Sequence, residues 1–152
     1  MSARSVALYA ALSDEVPTRP LFDALAGTGK ALLLPRIASD GRLAFAAVAR
    51  FDELIPGEYG VLTPPPGAPA AIPSAGDVVV VPGIAFDEHG RRLGRGAGCY
   101  DRTFPPEQES SPLLVGMACE AQIVESVPSG SRDRAMDAIV TERAFRWVKG
   151  GR

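Results

Sequence analysis

Residues 92–101 read Arg-Leu-Gly-Arg-Gly-Ala-Gly-Cys-Tyr-Asp, which crowds anion donors, cations and a carboxylate into ten positions. Glycines alternate at 94, 96 and 98, so backbone N–H groups can approach an anion with no side chain in the way. Arg92 and Arg95 add positive charge on planar forks that match phosphate oxygens. Asp101 closes the run with the hard oxygen ligand that magnesium takes beside nucleotide phosphates. Together these groups describe a phosphate site. Two better-known glycine motifs do not fit. A dinucleotide fingerprint needs glycine where Cys99 stands, and a Walker A loop needs Gly-Lys-Ser/Thr, whereas no lysine lies between Lys30 and Lys149. On glycines and arginines alone, an arginine-solvated hairpin with no ligand stands beside the phosphate site as an equal reading.

Such a loop needs elements to aim it. Asp77 is followed by four valines, Val78–Val81, which read as a buried strand ending at Pro82-Gly83. The carboxyl edge of an α/β sheet is where ligands sit. Further apolar runs predict strands at Val6–Ala10, Ala31–Leu34, Leu43–Val48, Leu113–Ala118 and Ala138–Val140. They are continuous instead of alternating, as in a mostly parallel sheet covered on both faces. Thr18–Ala26 predicts a helix with Thr18 as N-cap and Gly27 near its stop. The proline-rich stretch from Pro64 to Gly76 reads as a stiff surface crossing or as a polyproline ligand. The flanking halves are too small to fold alone, so the crossing is favoured and residues 1–152 form one domain.

Composition excludes other classes. A net charge of −2 gives no basic field for nucleic acid. No apolar run reaches the ~18 residues of a membrane helix, and Val6–Ala10 suits a strand better than a signal peptide. Cys99 and Cys119 lie too far apart for a Cys-x-x-Cys motif and read as reduced thiols of a cytoplasmic protein. His89 is the single histidine, which excludes His-rich zinc sites, and its turn Asp87-Glu88-His89-Gly90 marks it as solvated.

The strings themselves carry a resemblance. Pro82-Gly83-Ile84-Ala85-Phe86-Asp87 followed by Arg92-Leu93-Gly94-Arg95-Gly96-Ala97-Gly98-Cys99-Tyr100-Asp101 resembles the signature of the 5-formyltetrahydrofolate cyclo-ligase family. Glu15-Val16-Pro17-Thr18, Lys30 to Pro35, Tyr59-Gly60-Val61 with Pro64, and Gly116-Met117-Ala118 with Glu120 and Gln122 are similar to its other elements, in order. Val127-Pro128, Asp133, Asp137 and Thr141-Glu142 resemble its closing pattern.

The resemblance implies a single Rossmann-like, three-layer α/β/α domain without the long N-terminal helix usual in the family. It implies ATP- and Mg²⁺-dependent cyclisation of 5-formyltetrahydrofolate to 5,10-methenyltetrahydrofolate, releasing ADP and phosphate. Carried over by position, Arg92, Leu93, Gly94, Arg95, Gly96, Ala97, Gly98, Cys99 and Tyr100 would cradle ATP. Glu15 would contact the folate together with Arg95, Gly96, Ala97, Gly98 and Tyr100, while Arg95 and Tyr100 would serve catalysis. Asp101 and Asp133 would hold Mg²⁺, which requires both on one side of the molecule. Without that context Glu15 reads as a solvated residue before a helix and Asp133 as a surface salt-bridge partner. The partner implied is a small molecule, with monomer and homo-oligomer both open. Departures from the pattern are Cys99 for a tyrosine, Pro17 for an acidic residue, Thr63 for glutamate and Arg132 for histidine. A shortened, non-catalytic nucleotide- or folate-binding protein of the same fold is the alternative.

Overall fold

The computed structural model describes residues 2–148. Its first element is strand β1 (Ser5–Ala7), followed by helix α1 (Arg19–Leu25), β2 (Ala31–Ile37), β3 (Leu43–Ala47) and the short strands β4 (Ile55–Pro56), β5 (Leu62–Thr63) and β6 (Ala70–Ala71). Next come β7 (Val78–Val81), β8 (Ala85–Phe86), β9 (Arg92–Leu93), helix α2 (Cys99–Thr103), β10 (Leu113–Met117), β11 (Ala138–Val140) and β12 (Phe145–Trp147). Eight of the strands form one sheet in the order β12-β11-β10-β7-β1-β2-β3-β6. Strands β11, β10, β7, β1 and β2 run parallel, β12 and β3 run against them, and β6 pairs antiparallel with β3 at the edge. The mostly parallel α/β reading therefore holds, with few helices among the described residues.

Strand β7 shows why the valine run behaves as it does. It lies between β1 and β10. Val79 and Val81 enter one apolar cluster with Ala7, Leu33, Phe86 and Leu114, while Val80 enters another with Val6, Leu8, Phe22 and Leu34. Alternate residues thus feed opposite faces, so each position must be apolar. Strand β2 runs three residues past the expected Ala31–Leu34, through Pro35. Its pairing with β1 ends at Leu33, and Pro35 opposes Phe45 on β3 alone. The missing N–H falls where one side of the strand has no ladder left to break.

Helix α1 starts where Thr18 predicts, but the Thr18 hydroxyl caps nothing. It is buried and donates to the Tyr9 carbonyl, tying the loop after β1 to the helix start. The proline-rich crossing carries edge strand β6 before reaching β7. His89 lies in its turn with its side chain 58% exposed.

The hairpin of β8 and β9 carries the glycine loop, and two buried groups anchor it. The Phe86 ring is fully buried, and a Cβ on Gly116 or Gly83 would come within 2.5 or 2.7 Å of it. Asp87, also fully buried, accepts from the N–H groups of His89, Arg91 and Val127 and from Arg91 Nε at 2.6 Å. No helix among the described residues is long and apolar enough to cross a membrane.

Candidate active site

The loop between β9 and α2 holds residues 94–98. Gly96 and Gly98 have φ of 93° and 67°, the left-handed region where a side chain is strained. None of the backbone N–H groups from Gly94 to Gly98 donates to a protein atom among the described residues. Arg95, Gly96 and Ala97 are exposed.

The loop lines a cavity of about 370 Å³ whose wall contains every residue from Arg92 to Asp101, together with Glu15, Pro82, Gly83, Pro128 and Asp133. Asp101 and Asp133 therefore share one chamber despite 32 residues of separation in sequence. Asp101 Oδ1 accepts the Arg134 N–H at 2.9 Å, and Oδ2 lies 4.0 Å from Arg92 Nη2. Asp133 Oδ2 accepts the Gly130 N–H at 2.8 Å. Among the described residues, each carboxylate keeps one oxygen without a hydrogen bond. No group of three or more His, Cys, Asp or Glu gathers among the described residues. A cation here would take its other ligands from water and phosphate, which is how Mg²⁺ sits with nucleotides.

Arg92 is braced from three sides. One Nη donates to the Pro82 carbonyl at 3.3 Å, the guanidinium lies 5.3 Å from the Tyr100 ring centroid, and Asp101 is the nearby carboxylate. Arg95 reaches the other way, to Asp14 Oδ1 at 2.6 Å, and so ties the glycine loop to the loop after β1. Its guanidinium holds the Asp14 carboxyl below the ordinary carboxylate range.

A second, mostly apolar cavity of about 390 Å³ lies alongside. Tyr9, Ala10 and Leu12 from the β1 loop, Pro35, Ile37 and Leu43 from the β2–β3 hairpin, and Pro64 and Pro66 from the crossing all line it. Glu15, Pro82, Arg95, Cys99 and Tyr100 line both cavities and form the boundary between them. Glu15 is half-buried; Oε1 accepts the Leu12 N–H at 2.8 Å, and Oε2 has no hydrogen bond among the described residues. Burial pushes the Tyr100 hydroxyl well above its ordinary value; Arg92 opposes that, and Glu15, Tyr9 and Cys99 reinforce it. Tyr100 thus stays a neutral hydrogen-bond donor at the boundary. Gly96, Ala97 and Gly98, expected at both ligands, line only the polar cavity.

Residues 1–142 match the 5-formyltetrahydrofolate cyclo-ligase family. The chain belongs to that family. It is 34% identical over 149 residues to a 5-formyltetrahydrofolate cyclo-ligase of Escherichia coli (strain K12), covering 95% of this chain and 82% of the relative. A 5-formyltetrahydrofolate cyclo-ligase of Mycolicibacterium smegmatis is 30% identical, over 94% of this chain and 76% of its own. The NMR structure of Aquifex aeolicus 5,10-methenyltetrahydrofolate synthetase superposes with a TM-score of 0.80 at 33% identity, covering 99% of this chain and 74% of that one.

Within the cyclo-ligase family, Gln122 gains a structural reason. Its amide donates to the Gly83 and Ile84 carbonyls at 2.9 and 3.2 Å, which holds the turn at the end of β7 where the cavities begin. Sequence reasoning missed the apolar cavity. Its one signal was the clustering of Pro64 and Pro66, which read as a crossing and supplies a wall as well.

Proposed function

We propose that this chain is an ATP- and Mg²⁺-dependent 5-formyltetrahydrofolate cyclo-ligase, forming 5,10-methenyltetrahydrofolate, ADP and phosphate. One observation carries the reading: an apolar cavity and a donor-rich polar cavity share the wall made by Glu15, Arg95, Cys99 and Tyr100. A folate ring system suits the first, and a nucleotide triphosphate suits the second. Their common wall is where a phosphoryl group can pass from one to the other.

The formyl group on the folate nitrogen is amide-like and a poor electrophile. Its oxygen takes the γ-phosphoryl group, ADP departs, and the neighbouring folate nitrogen attacks the activated carbon as phosphate leaves. The chain's contribution is positioning and charge neutralisation. The N–H groups of residues 94–98 and the guanidinium of Arg92 face the polyphosphate. Arg95 and neutral Tyr100, at the boundary, donate to the oxygens that change owner, while Glu15 holds the folate through its free oxygen. Asp101 and Asp133 would hold Mg²⁺, which supplies neutralisation of phosphate charge. The three-layer arrangement of one domain belongs to the same proposal, supported by Phe22 of α1 in one core cluster and Tyr100 of α2 against the other.

Purified protein given 5-formyltetrahydrofolate, ATP and Mg²⁺ is expected to develop the near-ultraviolet absorbance of the methenyl product. Folded protein that binds both ligands and yields no product would overturn the reading in favour of a non-catalytic binding protein.

A further inference from the structure

The apolar cavity is lined by two cations, Arg95 and Arg36, and they are not in equivalent states. Arg95 is paired with Asp14 at 2.6 Å and lies on the boundary shared with the polar cavity. Arg36 lines the apolar cavity alone. No carboxylate comes within 4.0 Å of it among the described residues, including Glu15 and Glu58, the two acids of the same lining. Among the described residues its side chain makes one hydrogen bond, from Nη2 to the Pro65 carbonyl at 2.9 Å. Nε and Nη1 keep their N–H groups without a protein acceptor among the described residues.

The guanidinium is well placed to be a fixed receptor. Its backbone lies in β2, directly opposite Ala44 of β3, and Pro35 precedes it. The carbonyl that anchors Nη2 is flanked by Pro64 and Pro66, which restrict that backbone on both sides. A half-buried cation facing a mostly apolar chamber lacks both full hydration and a counter-ion, so an anion brought there gains a strong partner. An arginine held by one amino group offers its remaining edge as a two-pronged donor, the geometry that fits a carboxylate.

We propose that Arg36 binds a carboxylate of the substrate's glutamate tail and so sets the preference for folate over tail-less pterins. This rests on the cyclo-ligase reading, in which the reacting formyl end lies at the wall of Glu15, Arg95 and Tyr100. The tail is the anionic part of that substrate, and Arg36 is the cation the cavity holds away from the phosphoryl-transfer boundary. Glu58, in the same lining, disfavours a carboxylate near itself and leaves Arg36 as the tail's anchor.

The test compares wild type with Arg36→Gln on 5-formyltetrahydrofolate and on the amide of 5-formyltetrahydropteroate, which lacks the glutamate and, with its benzoate capped, carries no carboxylate. Arg36→Gln is expected to raise KM for the folate about 10-fold or more, with kcat little changed, because a charge-assisted contact is lost. On the pteroate amide, wild type and variant are expected to share one KM. Equal losses on both compounds would mean that Arg36 only braces Pro65, and no loss on either would mean that the tail lies elsewhere; both overturn the proposal. Should wild type turn over neither compound, the cyclo-ligase reading fails by itself, and calorimetric affinities of the same two compounds for the same two proteins still decide the role of Arg36. If Arg36→Gln does not fold, Arg36→Lys, which keeps the charge and loses the fork, is expected to show a smaller loss confined to the folate.

Discussion

At the scale of residues, the polar cavity divides its work between groups already engaged and groups held in reserve. Asp101 and Asp133 each spend one oxygen on a backbone N–H and keep the other. Asp101→Asn and Asp133→Asn should therefore each move the Mg²⁺ titration of activity to higher concentration while leaving the fold intact. An identical titration removes that residue from the metal. Arg95→Ala should weaken ATP binding by roughly 1.5–3 kcal/mol, measured by calorimetry, if its guanidinium turns from Asp14 to phosphate. Unchanged affinity places the phosphates elsewhere. The loop residues were legible in the sequence because their chemistry is contiguous: ten neighbours are two thirds of the residues that line the chamber. Arg36 was not legible, since its meaning depends on which carboxylates fail to reach it.

At the scale of elements, the runs that sequence could read are those whose burial comes from both faces at once. Val78–Val81 and Ala138–Val140 form with the expected bounds. The two-residue strands β4, β5, β6, β8 and β9 carry no periodicity to detect; they exist through tertiary pairing. Thr18 marks the helix start correctly, although its hydroxyl serves Tyr9 and not the helix, so a right boundary came with a different bond. The Phe86 plug is the element most exposed to test. Gly116→Ala would drive a methyl to 2.5 Å from a ring with no room to yield and should destabilise by about 1–3 kcal/mol in denaturant unfolding. A neutral result would show that Phe86 can shift without cost.

At the scale of the whole molecule, buried carboxylates link stability to acidity. Burial would raise both Asp77 and Asp87, but N–H donors from Ser74 and Ser5 on one, and from Val127, Arg91 and His89 on the other, with Arg4 and Arg91 nearby, hold both below the ordinary 3.8. Groups depressed on folding stabilise fully above their unfolded value, and that contribution is lost as pH falls through the folded one. Unfolding free energy should stay level with respect to these two groups down to about pH 5 and decline below about pH 4. Asp87→Asn should flatten that decline, and an unaltered acid limb would assign it to other groups. The sheet and the glycine loop could be read before the fold was known. The apolar cavity could not, because its walls come from segments scattered between Tyr9 and Tyr100 that only folding brings together.

Trp147 is the chain's single tryptophan, 65% exposed on the terminal edge strand β12 with its ring edge-on to Phe145 at 5.2 Å. It lines neither cavity that meets at Tyr100. Intrinsic fluorescence is thus a lamp hung at the far margin of the sheet. It will brighten or dim when that margin peels away, and it will stay steady while nucleotide, which absorbs none of its emission, comes and goes.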